Sequence, residues 1–137
     1  MSDKLYVLDT SALLSFIEDE AGAEIVENLL IEAEKGGIDI CLFFISLTEI
    51  LYITKREKGE REALERLRLA QSLALRIQES DEQVNILAGG LKADYSISLA
   101  DAYFAALCQY HQGILVHKDP EFEQLAPLIR ELRLPYK

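Results

Sequence analysis

The chain has 137 residues, half of them hydrophobic, and carries 14 basic against 24 acidic side chains, for a net charge of −10. That length fits one domain, residues 1–137, and leaves no room for two. With 7 Gly and 3 Pro the composition excludes disorder and fibrous repeats, and the charge argues against a general nucleic-acid binder.

The predicted elements follow in chain order. Leu5–Leu8 is a short apolar run that reads as a strand and stops at Asp9-Thr10-Ser11, residues that start helices. Ala12–Glu18 reads as a helix. Ala21–Lys35 is amphipathic, with Ile25, Leu29 and Ala33 on one stripe, and Gly36-Gly37 ends it. Ile38–Ile45 is apolar and β-rich, which predicts a strand buried on both faces. Ser46 opens a helix to about Lys58. Glu60–Ile77 is predicted as one helix, with Leu64, Leu67, Ala70, Leu73, Ala74 and Ile77 on one side. Ser80-Asp81-Glu82-Gln83 has the form of a capping box, and Gly89-Gly90 is expected to bend the helix that follows, near its end at about Ala93. Ser98–His111 is a strongly apolar helix, Ile114–His117 a strand, Asp119-Pro120 the start of a helical turn, and Ile129–Leu134 an edge strand.

This alternation predicts an α/β domain: a central, mostly parallel sheet of four to five strands with helices on both faces, in three α/β/α layers. Cys41 and Cys108 lie far apart in apolar runs and read as core thiols of a reducing compartment. With His111 and His117 they do not complete a Cys/His metal site. No run approaches the roughly 20 apolar residues of a membrane span, and the amino-terminal stretch lacks the pattern of a signal peptide. The expected location is the cytoplasm. The apolar helices, with little to cover them in so small a domain, point to a homodimer.

Ligands of parallel α/β sheets bind beyond the carboxyl ends of the strands. Asp9 directly follows the first strand, Glu49 lies one turn beyond the second, and Asp119 follows Ile114–His117. A fourth acid, Asp101, is the one charged residue in LADAYFAALC, and a carboxylate buried there needs a partner or a metal. Each acid also has an ordinary helix-capping reading: Ser46-x-x-Glu49 and Ser98-x-x-Asp101 match capping boxes, while Asp9 and Asp119 sit as N-caps. Capping does not require the four to converge. If they do, they cannot all stay ionised without a cation or protonation. An all-oxygen ligand set suits Mg2+ or Mn2+, ions that serve phosphodiester hydrolysis.

Four segments sharpen this reading: VLDTSALLSF, ISLTEILYI, SLADAYFAALC and LVHKDPEFEQL. In order and spacing they resemble the four motifs of the PIN domain, in particular the VapC-type ribonuclease toxins of prokaryotic toxin–antitoxin pairs. The resemblance implies a metal-dependent endoribonuclease acting on RNA, with an antitoxin protein as partner. It implies that Asp9, Glu49, Asp101 and Asp119 form the catalytic metal site, with Asp9 and Asp101 as primary ligands, and that Ser11 and Ser46 line it. Many relatives carry a small hydroxyl two residues before the last acid. Here that residue is His117, either a residue satisfied at a strand end or an imidazole near the metal or scissile phosphate. Lys92 is a candidate phosphate contact, and Tyr52 and Tyr103 read as core or interface.

Between Leu51 and Gln78 seven bases stand against four acids, net +3. This segment is a solvated helix face or a landing site for phosphates. The alternative to the enzyme is a PIN-like module that holds a partner protein with little catalysis.

Overall fold

Alternation along the strands decides the layering. In the computed structural model, which describes residues 4–136, five strands form one parallel sheet. They are β1 (Leu5–Leu8), β2 (Asp39–Phe43), β3 (Arg76–Gln78), β4 (Ile114–His117) and β5 (Arg130–Arg133), in the order β3-β2-β1-β4-β5. Successive side chains point to opposite faces. Val7, Cys41, Phe43 and Leu115 enter one core, beneath α5 (Glu82–Asp94), α6 (Leu99–His111) and a 3-10 helix (Pro120–Leu125). Leu8, Ile40, Leu42 and Val116 enter the other, beneath α1 (Thr10–Ile17), α2 (Ala23–Glu34), α3 (Phe44–Lys58) and α4 (Glu60–Ser72). The three-layer α/β/α arrangement is the one expected. Leu8, Leu42, Phe43 and Leu115 are fully buried, and each contributes about 2 kcal/mol through lost apolar exposure.

The chain leaves β1 for β2 and β3 on one side, then returns for β4 and β5 on the other. The strand order therefore reverses between β1 and β4, where a crevice opens at the carboxyl ends. Asp9 and Asp119 follow these two strands.

Four expectations are corrected. The stretch predicted as one helix over Glu60–Ile77 ends at Ser72, and Arg76–Gln78 forms β3 beside β2. Leu73, Leu75 and Ile77 pack by twos against the core, but over so few residues that period is masked by the helical stripe before it. The second strand ends at Phe43, so α3 starts at Phe44 and Ser46 is not its cap. Asp81, not Ser80, caps α5 by accepting from the Val84 amide. Finally, α2 starts at Ala23 because Gly22 has φ +98°, and a Cβ there would lie 3.0 Å from Leu134 Cβ. An L residue there would meet both strain and a clash.

Candidate metal centre

Asp9 leaves β1 with its amide on the Val116 carbonyl at 3.1 Å. Its carboxylate caps α1 by accepting from the Ala12 amide at 2.8 Å, and the Ser11 hydroxyl donates to both of its oxygens at 2.7 and 2.9 Å. Ser11 Oγ in turn accepts from the Lys118 amide at 3.1 Å, which ties the end of β4 to the end of β1. Asp9 is thus both a cap and a buried carboxylate, 3% exposed. Burial pushes its pKa up to about 7; the Ser11 and Ala12 donors oppose this, and the charges of Asp119 and Glu49 reinforce it.

Asp101 departs from its capping reading. In a capping box the third helical residue reaches back to the amide of the cap. Here Ser98 Oγ accepts from the Asp101 amide at 3.1 Å, but the Ser98 amide donates to Glu121 Oε1 at 2.7 Å. Glu121 has taken the reciprocal bond, and the Asp101 carboxyl is directed to other groups. It lies 8% exposed, with an oxygen within 4.8 Å of oxygens of Asp119 and Glu121. Burial raises the Asp101 pKa first, then the facing Glu121 carboxyl, then the charges of Asp119 and Asp9.

Asp119 caps the 3-10 helix, its Oδ1 accepting from the Glu121 amide at 2.9 Å. Oxygens of Asp101, Asp119 and Glu121 all lie within 4.8 Å of one another. Glu49 stands outside this group, near enough for its charge to act on Asp9. A hydroxyl chain holds it: Thr10 Oγ1 donates to Glu49 Oε1 at 2.5 Å, and buried Ser46 stands 3.0 Å from Thr10. Ser46 acts here through Thr10.

Glu121 and Thr10 are the residues that sequence reasoning missed. Glu121 follows Asp119-Pro120 and reads locally as an acid in the first turn of a helix. Its second acid-to-acid spacing of two residues was the available signal. Thr10 stands inside LDTS, where it reads as a helix starter.

Two supporting residues take other places. The Lys92 ammonium donates to the Ile97 carbonyl at 2.7 Å, fixing the loop that enters Ser98 rather than reaching toward phosphate. His117 is fully buried. Its Nδ1 accepts from the Asp119 amide at 3.1 Å, and its Nε2 lies 3.1 Å from Glu131 Oε2. Nδ1 therefore bears no proton, and Nε2–H donates to Glu131. Both nitrogens are engaged within the protein. Burial lowers the imidazole pKa, against the pull of Glu131, so the ring is a neutral brace for the Asp119 backbone.

A hydroxyl at position 117 can accept the same amide two residues on. His117→Ser should therefore keep Mn2+ affinity near that of the parent. His117→Ala leaves the amide unmet and should weaken affinity about tenfold, the scale of lost outer-shell support. Calorimetric titration of both variants checks this. Equal losses would assign the effect to the shared cavity and not to the hydrogen bond.

The donor set is all hard oxygen and crowded. It fits a divalent cation of the Mg2+ or Mn2+ type, which would offset the mutual repulsion of the carboxylates. Asp101, Asp119 and Glu121 offer oxygens close enough to share such an ion, and Asp9 lies outside that group but near enough for its charge to act on Asp101.

The family model for the PIN domain matches residues 6–128. No curated protein sequence matches the chain. Among solved structures, the chain is similar to VapBC2 from Rickettsia felis bound to a DNA fragment from their promoter, with TM-score 0.78 and 18% identity over 96% of this chain and 99% of that one. It is similar to DNA-bound VapBC from Salmonella typhimurium, with TM-score 0.76 and 20% identity over 95% and 98%. It is also similar to VapC20 from Mycobacterium tuberculosis, a sarcin-ricin loop cleaving toxin, with TM-score 0.68 and 14% identity over 90% and 96%. These likenesses concern the fold, and the family match reaches from β1 through β4 and takes in all four acids. The chain belongs to the PIN domain family.

Proposed function

We propose that this protein is a Mg2+- or Mn2+-dependent endoribonuclease, the toxin of a VapBC-type pair, acting in the cytoplasm. The observation that carries the reading is the Asp101–Asp119–Glu121 group beside buried Asp9. So many carboxyls are costly to bury together unless a cation joins them. When bound, such an ion supplies a Lewis acid for phosphoryl oxygens and lowers the pKa of a coordinated water. The protein's own residues do the rest. Asp9 and Asp101, held by Ser11 and α6, would hold the ion, and Asp119, braced by His117, and Glu121 would complete its oxygen shell. Glu49, oriented by Thr10, would position a water at the edge of the group. Among the described residues no histidine pair faces the acids for metal-free acid–base cleavage.

Partner binding has its own support. A cavity of about 430 Å3 adjoins the centre, lined by Ser11, Lys118, Leu14, Glu18, Glu20 and Glu57 among others. Glu18 and Glu20 are already paired with Arg66 and Lys118, and Glu57 beside apolar walls suits a basic group of a protein segment, the chemistry expected of an antitoxin arm. A homodimer is supported by Ile86 on α5 and Leu99 at the start of α6, which are 61% and 60% exposed. Among the described residues no helix is long and apolar enough to cross a membrane.

The experiment is cleavage of a mixed RNA pool by the parent protein in Mn2+, in Mg2+ and in EDTA. Cleavage with either metal and none in EDTA is the expected result. A parent inert across metals and RNAs would replace the enzyme with the protein-binding module.

A further inference from the structure

The basic segment read from the sequence is divided in two by the structure. Arg61 pairs with Glu65, and Arg66 with Glu18 and Glu62. Among the described residues, no carboxylate forms an ion pair with Lys55, Arg56 or Lys58, all exposed on the last turns of α3. Three unpaired cations stand together on a chain of net charge −10. The Arg56 guanidinium lies over the Tyr52 ring, 5.1 Å from its centroid. Tyr52 is 43% exposed, which excludes the core half of its core-or-interface reading. Its ring also helps wall an apolar cleft of about 270 Å3 with Leu51, Ala63 and Leu64.

Position on α3 relates this pair to the metal centre. Glu49, Tyr52 and Arg56 follow one another at spacings of three and four residues, so they form one stripe of the helix. Arg56 lies about 10 Å along the axis from Glu49, within reach of a nucleotide that adjoins the cleaved phosphate. An aromatic ring offers a stacking surface to any base. A guanidinium stacked on that ring keeps its N–H groups free for phosphate.

We propose that Tyr52 and Arg56, flanked by Lys55 and Lys58, form a single-stranded RNA track leading from the metal centre, with a base against Tyr52 and phosphates on the cations. The inference rests on the nuclease reading for the identity of the polynucleotide. A local basic track also resolves the conflict between the overall charge and an RNA substrate, since at about 0.1 M salt the field that matters to a phosphate is the one within about 10 Å.

The test is fluorescence anisotropy of a short labelled single-stranded RNA of mixed sequence, in EDTA and again in Ca2+. Tyr52→Leu, which keeps apolar bulk and removes the ring, should weaken binding about tenfold, and Tyr52→Phe should preserve it. Arg56→Gln should weaken binding severalfold and lower the salt slope by about 1. Melting curves should match the parent, because both side chains are exposed. Binding and salt slope unchanged in Tyr52→Leu and Arg56→Gln would overturn the proposal, as would a parent that binds no RNA in either buffer. A Tyr52→Leu variant whose one change is dissociation of a dimer, seen by sedimentation, would also overturn it and assign the face to a second copy of the chain. Binding is measured without cleavage, so a parent that binds along this track yet cuts nothing refutes the nuclease reading and leaves the track standing.

Discussion

Asp101→Asn is expected to give a folded protein whose metal-dependent RNA cleavage falls at least about a hundredfold, the scale of losing a key charge-stabilising group. The cap of α6 does not depend on this carboxyl. Ser98 Oγ receives the Asp101 amide, and Glu121 receives the Ser98 amide. An asparagine amide can donate to the neighbouring Glu121 carboxylate, so the variant replaces a like-charge contact with a hydrogen bond. Its stability in EDTA should stay within about 1 kcal/mol of the parent or exceed it. What it lacks is the anionic oxygen a divalent ion needs. Single-turnover cleavage of mixed RNA in Mn2+, beside a melting curve, measures both. A folded variant that cleaves like the parent would remove Asp101 from the centre.

The second large effect is on the stability of the metal-free protein, and it depends on pH. The folded protein raises the Asp9 pKa from 3.8 to about 7, so over that interval the native state binds more protons than the unfolded chain. By linkage, stability is then lost as pH rises through the interval. His117, with its lowered pKa, acts in the opposite sense below its ordinary value. Comparing parent with Asp9→Asn at each pH cancels that contribution. In EDTA the variant should match the parent only below about pH 3.8, where Asp9 is neutral in both the folded and the unfolded chain. Between pH 5 and pH 8 its advantage over the parent should grow by about 2–3 kcal/mol, since one pKa unit corresponds to about 1.4 kcal/mol. For a domain of this size that is roughly 10 °C in Tm. Saturating Mn2+ should reverse the order, because only the parent gains the binding free energy of a full ligand set. A stability difference independent of pH in EDTA would mean that Asp9 is ionised throughout and that the crowding inferred at the centre is absent.

The sequence alone determined the layers and the edge at which chemistry occurs. Strands with apolar residues on both faces demand helices on both faces, and a parallel sheet presents its ligands at its carboxyl ends. Asp9 and Asp119 follow from that rule, and Asp101 from the cost of a charge in an apolar helix. The tertiary structure alone decided which amide each acid serves. Residue types favoured at helix starts are also those that bind metals, so local pattern cannot say whether a carboxyl faces its own helix or a neighbour. Glu121 crosses from the 3-10 helix to the Ser98 amide and frees Asp101. Thr10 reaches from α1 to Glu49 on α3, 39 positions away. Ser46 reads as a cap only until Phe44 is seen to start the helix. The short strand β3 was hidden for a related reason: three residues are too few to establish a period of two, and pairing with β2 is what makes them a strand. His117 likewise took its role from contacts that local pattern cannot reveal, an amide two residues on and a glutamate on the neighbouring strand.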